Sequence, residues 1–194
     1  MAKPAYLIAG NWKMYKTASQ AAETAAELAR LSSDAREDVE ILIAPPFTAL
    51  PAVAAAVEGS RVALGAQNLH WEKEGAHTGE ISANMLTAAG CSYVIIGHSE
   101  RRQYFGETDD TVNRKIMAAA QGGLNPILCI GETAPQREAG ETGKVLTVQI
   151  QNGLSAISKE VFSDLVVAYE PVWAIGTGLA ATAEIAQEAH ALIR

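Results

Sequence analysis

Leu165-Val166-Val167-Ala168-Tyr169-Glu170-Pro171-Val172-Trp173-Ala174-Ile175-Gly176-Thr177-Gly178 is the stretch whose reading decides the fold. Leu165–Tyr169 is short, apolar and rich in β-branched residues, which predicts a buried strand. Glu170 closes it with a carboxylate, a residue that packing alone does not call for. Pro171 has no N–H for a ladder and stops the strand. The chain then runs into an apolar loop with glycines at its far end. Most loops are polar, so residues Pro171, Val172, Trp173, Ala174, Ile175, Gly176, Thr177 and Gly178 are read as a lid over a ligand. A buried connection beside an ordinary surface glutamate is the alternative.

The same strand grammar recurs upstream. Apolar runs at 5–10, 39–44, 62–66, 93–97, 126–130 and 165–169 predict six strands. Helical spacing predicts helices over 17–31, 47–57, 81–89, 109–121, 138–154 and 180–194. Gly122-Gly123 ends the fourth helix as a left-handed stop does. Strict alternation of helices with continuously apolar strands means an α/β protein with a parallel sheet covered by helices. No linker divides the chain, so residues 1–194 read as a single domain. Two connections are long, 67–80 and 131–137.

Composition narrows the partners. The chain has 194 residues, 48% of them hydrophobic, and a formal charge of −7. That is enough for a sizeable core, and the negative balance argues against nucleic acid or an anionic membrane as partner. No apolar run reaches the length of a membrane span, and residues 1–6 carry no signal-peptide core. Cys91 and Cys129 lie in or beside apolar runs and read as reduced core residues of a cytoplasmic protein. No zinc spacing is present, and neither metal nor cofactor is expected.

Polar residues gather where strands end. The first strand runs into Asn11-Trp12-Lys13, the fourth into His98-Ser99-Glu100-Arg101, the sixth into Glu170. In a β/α barrel such ends converge on one mouth. Each residue alone has an ordinary reading: a solvated lysine, a turn asparagine, a core histidine, a surface Glu100–Arg101 pair. Together they suit proton abstraction next to a carbonyl. Glu170 is the base, desolvated by the lid. His98, where a short helix begins, is expected neutral and donating, because a helix N-terminus disfavours imidazolium. Lys13 is the cation and Asn11 a neutral donor. Two rivals are weak. Gly176-x-Gly178-x-x-Ala181 mimics a dinucleotide loop but starts too far from its strand. His98-Ser99-Glu100 mimics a zinc deaminase start, with no Pro-Cys-x-x-Cys behind it.

Asn11-Trp12-Lys13-Met14, Gly65-Ala66-Gln67-Asn68, Gly75-Ala76-His77-Thr78-Gly79-Glu80, Gly97 to Arg102, Tyr104 to Thr108 and Ala168 to Gly178 resemble, in order and spacing, the triosephosphate isomerases. The likeness runs nearly end to end. It implies a TIM (β/α)8 barrel fold and interconversion of dihydroxyacetone phosphate and D-glyceraldehyde 3-phosphate, a step of glycolysis and gluconeogenesis. This family is itself the usual illustration of a glutamate base working with a neutral histidine under a closing loop. The resemblance implies that Glu170 moves the proton and His98 polarises the carbonyl. Lys13 and Asn11 hold substrate oxygens, and Gly176 gives its N–H to the phosphate. Ser99 holds Glu170 while the lid is open, and Glu100 supports from behind. It also implies a homodimer in which the loop holding Gln67 and Thr78 enters the neighbouring subunit. The family's barrel has eight strands in about 250 residues. Only the first six βα units are counted here, and the last residues are mid-pattern in a helix. A truncated chain lacking the glycine-rich phosphate loops is therefore expected. Its alternative reading is an inactive partial barrel serving as assembly partner for a missing C-terminal piece.

Overall fold

The structure is a computed structural model and describes residues 6–194. Ala5, the expected first residue of the first strand, lies outside the described residues. Two compact units form: one runs to Ile95 and takes in Ala118–Asn125, and the other comprises Ile96–Met117 and Pro126–Arg194.

The first unit holds β1 (Tyr6–Asn11), α1 (Ala18–Leu31), β2 (Val39–Ala44), a 3-10 turn (Phe47–Ala49) leading into α2 (Leu50–Val57), β3 (Val62–Ala66), α3 (Ala83–Ala88) and most of β4 (Tyr93–Ile96). Neighbouring strands are parallel: Tyr6 lies opposite Val39, Ile41 opposite Val62, Gly65 opposite Tyr93. Leu42, Ile43, Val62, Leu64 and Val94 are buried, as continuously apolar parallel strands require. The helix α1 packs on α2, and its Ala21 and Ala25 are fully buried. Alanine's small side chain permits that closeness.

The second unit contains α4 (Ser99–Tyr104), β6 (Val166–Tyr169), α6 (Ala134–Glu138), α7 (Thr142–Gly153), α8 (Lys159–Ser163), a second 3-10 turn (Val172–Ala174) and α9 (Ala183–Ile193). It also has most of α5 (Asp109–Gln121) and of β5 (Asn125–Ile130). β5 and β6 are parallel, with Ile127 opposite Val166 and Ile130 opposite Tyr169. Ile96, Val112, Ile116, Leu128, Ile130 and Leu146 form its core. This register sets Gly131 and Glu170, the next residue of each strand, side by side.

Three expectations are corrected. Residues 138–154 are not one helix: α6 ends at Glu138, Gly140 takes φ +71°, and α7 starts afresh at Thr142. The connection at 131–137 is short, because α6 already begins at Ala134. Helix and strand do not alternate one for one, since α4, α6 and α8 are additional short helices. Each is only five or six residues long, too short for a repeating apolar pattern to announce it.

Candidate active site

In the second unit the site is built on the ends of β4, β5 and β6. The Glu170 N–H donates to the Ile130 carbonyl at 2.7 Å. That approach needs Gly131: a Cβ there would fall 1.7 Å from the Glu170 carbonyl oxygen. The Glu170 side chain is 16% exposed and that of His98 10%. Glu170 Oε1 lies 2.9 Å from His98 Nε2, and Oε2 accepts the Ser99 N–H at 2.8 Å.

His98 caps the N-terminus of α4. Its Nδ1 accepts the Glu100 N–H at 3.2 Å. A nitrogen that accepts carries no proton, so the ring proton sits on Nε2 and is donated to Glu170. The helix start thus fixes the tautomer. The Glu100 carboxylate lies 3.6 Å from the same Nδ1. Arg101 pairs with Glu107, at 2.9 Å.

The residues expected to form a lid come directly after Glu170. Trp173 is buried: its backbone N–H donates to the Glu132 carbonyl at 3.3 Å, and the Arg137 guanidinium covers its ring at 4.3 Å. Beyond it the chain turns outward at Ile175, and Gly176 and Gly178 take φ +72° and +78°. Thr177 Oγ1 donates to the Trp173 and Ala174 carbonyls, closing the turn. A cavity of about 560 Å³ lies among Glu170, Ser99, Ile130, Gly131, Trp173 and Ile175, room enough for a small organic ligand.

Glu132, between the cavity-lining Gly131 and Thr133, is a buried carboxylate outside the expected site residues. Its carboxylate is fully buried and receives the Tyr169 hydroxyl at 3.0 and 3.1 Å, the Thr142 hydroxyl at 3.3 Å and Arg137 Nη1 at 3.2 Å. Burial first, and then the Glu132 charge, push the Tyr169 phenol upward, while the Trp173 indole acts against them. Glu132 stands two residues beyond β5, as His98 stands two beyond β4, and that shared place is the signal that could have found it. Cys129, also buried, is held well above its usual pKa by burial and then by the negative charge of Glu170. Burial alone pushes the Cys91 thiol of the first unit up to about 12.

In the first unit, Asn11 Oδ1 accepts the Lys13 N–H at 2.9 Å. This side-chain turn holds Lys13 at φ +50°, a conformation a lysine seldom adopts unaided. Gln67 Nε2 donates to the Lys13 and Ala44 carbonyls, both at 2.8 Å. Gln67 therefore braces Lys13 within its own chain, a role that its place in a loop expected to reach a neighbour does not suggest. Thr78 sits exposed in a turn of that loop, whose base is closed by the His70 N–H on the Ile81 carbonyl at 2.8 Å. Among the described residues no group of three or more His, Cys, Asp or Glu is placed to hold a metal ion, and no helix is long and apolar enough to cross a membrane.

Parallel βα units with a half-buried carboxylate set against an imidazole at strand ends define a protein of the β/α-barrel class. The family model described as triosephosphate isomerase matches residues 6–194. Over 194 residues, all of this chain and 76% of the relative, it is 56% identical to the triosephosphate isomerase of Citrifermentans bemidjiense. It is 58% identical to that of Geobacter metallireducens over 188 residues, 97% of this chain and 74% of the relative. The crystal structure of the Bartonella henselae enzyme superposes with a TM-score of 0.85 at 39% identity, covering 97% of this chain and 73% of that one. The chain belongs to the triosephosphate isomerase family, with six of the barrel's βα units present in it.

Proposed function

We propose that the protein interconverts dihydroxyacetone phosphate and D-glyceraldehyde 3-phosphate through an enediolate. The observation that carries this reading is the contact between Glu170 Oε1 and His98 Nε2, made while Nδ1 accepts the Glu100 N–H. The imidazole N–H rests on the carboxylate. The substrate's carbonyl oxygen takes that N–H over, which frees Glu170 to remove a proton from the neighbouring carbon. The electron pair moves onto the carbonyl oxygen, which takes the Nε2 proton of His98; His98 recovers a proton from the neighbouring hydroxyl, whose oxygen becomes the new carbonyl as Glu170 returns its proton to the former carbonyl carbon. Glu170 directly precedes the lid, so closure of Pro171–Gly178 also draws it off the Ser99 N–H.

Lys13 is assigned the substrate's negative charge and Asn11 its oxygen, and the Gly176 N–H is assigned to the phosphate. The relatives' names supply the triose phosphate as substrate. The protein works in the cytoplasm as a homodimer, with Thr78 at the subunit contact.

The test is a coupled isomerase assay on the purified protein and its Glu170→Gln variant. Gln keeps the shape and cannot accept the proton, so turnover is expected to fall by about 10²–10⁴-fold with KM little changed. A variant that retains turnover, or an unmodified protein that never isomerises triose phosphates, overturns the reading.

A further inference from the structure

The sharpest arrangement not used by that chemistry surrounds Gly97, the residue that aims His98. Gly97 takes φ +73°, a left-handed turn between β4 and α4. Both of its peptide groups are gripped by charged side chains. Its N–H donates to Glu107 Oε2 at 3.0 Å, and its carbonyl accepts Arg102 Nε at 2.8 Å. The rest of the Arg102 fork spans two further elements. Nη1 donates to Asp109 Oδ1, in the first turn of α5, at 2.6 Å, and Nη2 to the Cys129 carbonyl of β5 at 3.4 Å. Glu107 is braced in turn by Arg101 and Lys115. There is no slack: a Cβ on Gly97 would lie 3.0 Å from Arg102 Nη2 and 3.0 Å from Val112 Cγ2.

We propose that Arg102 is a positioning residue for the reaction, its guanidinium fork tying the Gly97 turn to β5 and α5 and so holding the His98 ring in register with Glu170. This rests on the role of His98 in the proposed isomerisation. Arg102 makes no contact of its own with His98. A surface ion pair would join side chain to side chain, whereas two of the three bonds here end on backbone carbonyls, one of them in the residue before the imidazole. The planar fork is what the role requires. Lysine keeps the charge but cannot bond in three directions within one plane.

The test is a double-mutant cycle on kcat and KM with Arg102→Lys and His98→Gln, together with thermal unfolding of each variant. Arg102→Lys is expected to lower kcat by about tenfold or more, since a displacement near 1 Å costs up to about 10²-fold, and to leave KM within about twofold. In the His98→Gln background the same change is expected to cost almost nothing, because the ring it serves has gone. Equal losses in both backgrounds make Arg102 merely structural and overturn the inference, as does an unaltered kcat. A His98→Gln change without effect on turnover overturns the catalytic reading of His98, and this inference with it. If Arg102→Lys does not fold, Asp109→Asn, which loosens the same guanidinium, goes through the same cycle and is judged by the same outcomes.

Discussion

A carboxylate cut off from water survives as an anion only where other groups replace its solvation. At Glu107 burial by itself would raise the pKa, but the Lys115 ammonium and the Arg101 guanidinium outweigh it and the net shift is downward. The Gly97 N–H adds a third donor. A lowered folded pKa means that the unfolded chain takes up protons first as pH falls. The stabilisation by Glu107 is therefore complete above the ordinary glutamate value of about 4.3 and is lost as pH drops through the lower folded value. Glu107→Gln is expected to destabilise by about 3 kcal/mol at pH 7, because it leaves two cations facing a neutral amide. Its deficit against the unmodified protein should shrink steadily below about pH 4.3. Denaturant titrations from pH 7 to pH 3 read this directly, and a deficit independent of pH would contradict it. The sequence hides this cluster. Tyr104-Phe105-Gly106-Glu107 carries the family likeness, yet nothing local tells a buried glutamate from a solvated one. His98 and Glu170 are legible because each stands at the end of an apolar strand, where a charged or titratable group needs a reason.

Elements are legible in proportion to their length. The strands β2 and β3 stand at their expected bounds, and so does the 13-residue α5, because a mostly apolar run of five or six residues or three helical turns leave one reading. The region 138–154 misleads because Glu138 and Ala139 suit a helix and stand just before α7, although Gly140 separates them from it. Thr133-Ala134-Pro135-Gln136 is an available start signal, and Gln136 Oε1 does accept the Thr133 N–H at 2.9 Å. Gly140 is the stop: its N–H donates to the Arg137 carbonyl at 2.9 Å in a left-handed turn. A Cβ at this position would meet nothing within 4 Å, so a substitution there reads backbone strain alone. Gly140→Ala is expected to destabilise by about 1–2 kcal/mol in urea unfolding. In one continuous helix the same change would stabilise by about 1 kcal/mol. The sign of the effect decides between two helices and one.

At the scale of the molecule, the alternation of strands and helices is readable because parallel neighbours need both faces covered, a demand that β4 and β5 answer most fully, while Tyr6 and Ile8 of β1 stay exposed. How many copies associate is not readable from any pattern, since it depends on which apolar groups the finished fold leaves outside. Met14 and Tyr15, the residues after Lys13, are 93% and 71% exposed in the first unit, and Tyr104 of α4 and the adjoining Phe105 are 68% and 69% exposed in the second. Single exposed apolar residues are ordinary, but adjacent pairs of large ones mark contact surfaces. In the proposed homodimer Met14 and Tyr15 are covered by the neighbouring copy. Burying them is worth about 1.5–3 kcal/mol for each side chain, and a two-fold contact counts each of them twice. Sedimentation at micromolar concentration is expected to give twice the 20.4 kDa of the chain. Tyr15→Asp places a charge in the contact on both sides of the axis, so the dimer should dissociate at concentrations at which the unmodified protein stays associated. A mass equal to one chain at every concentration removes the dimer from the proposal. A dimer unmoved by Tyr15→Asp means that its surface lies elsewhere on the chain.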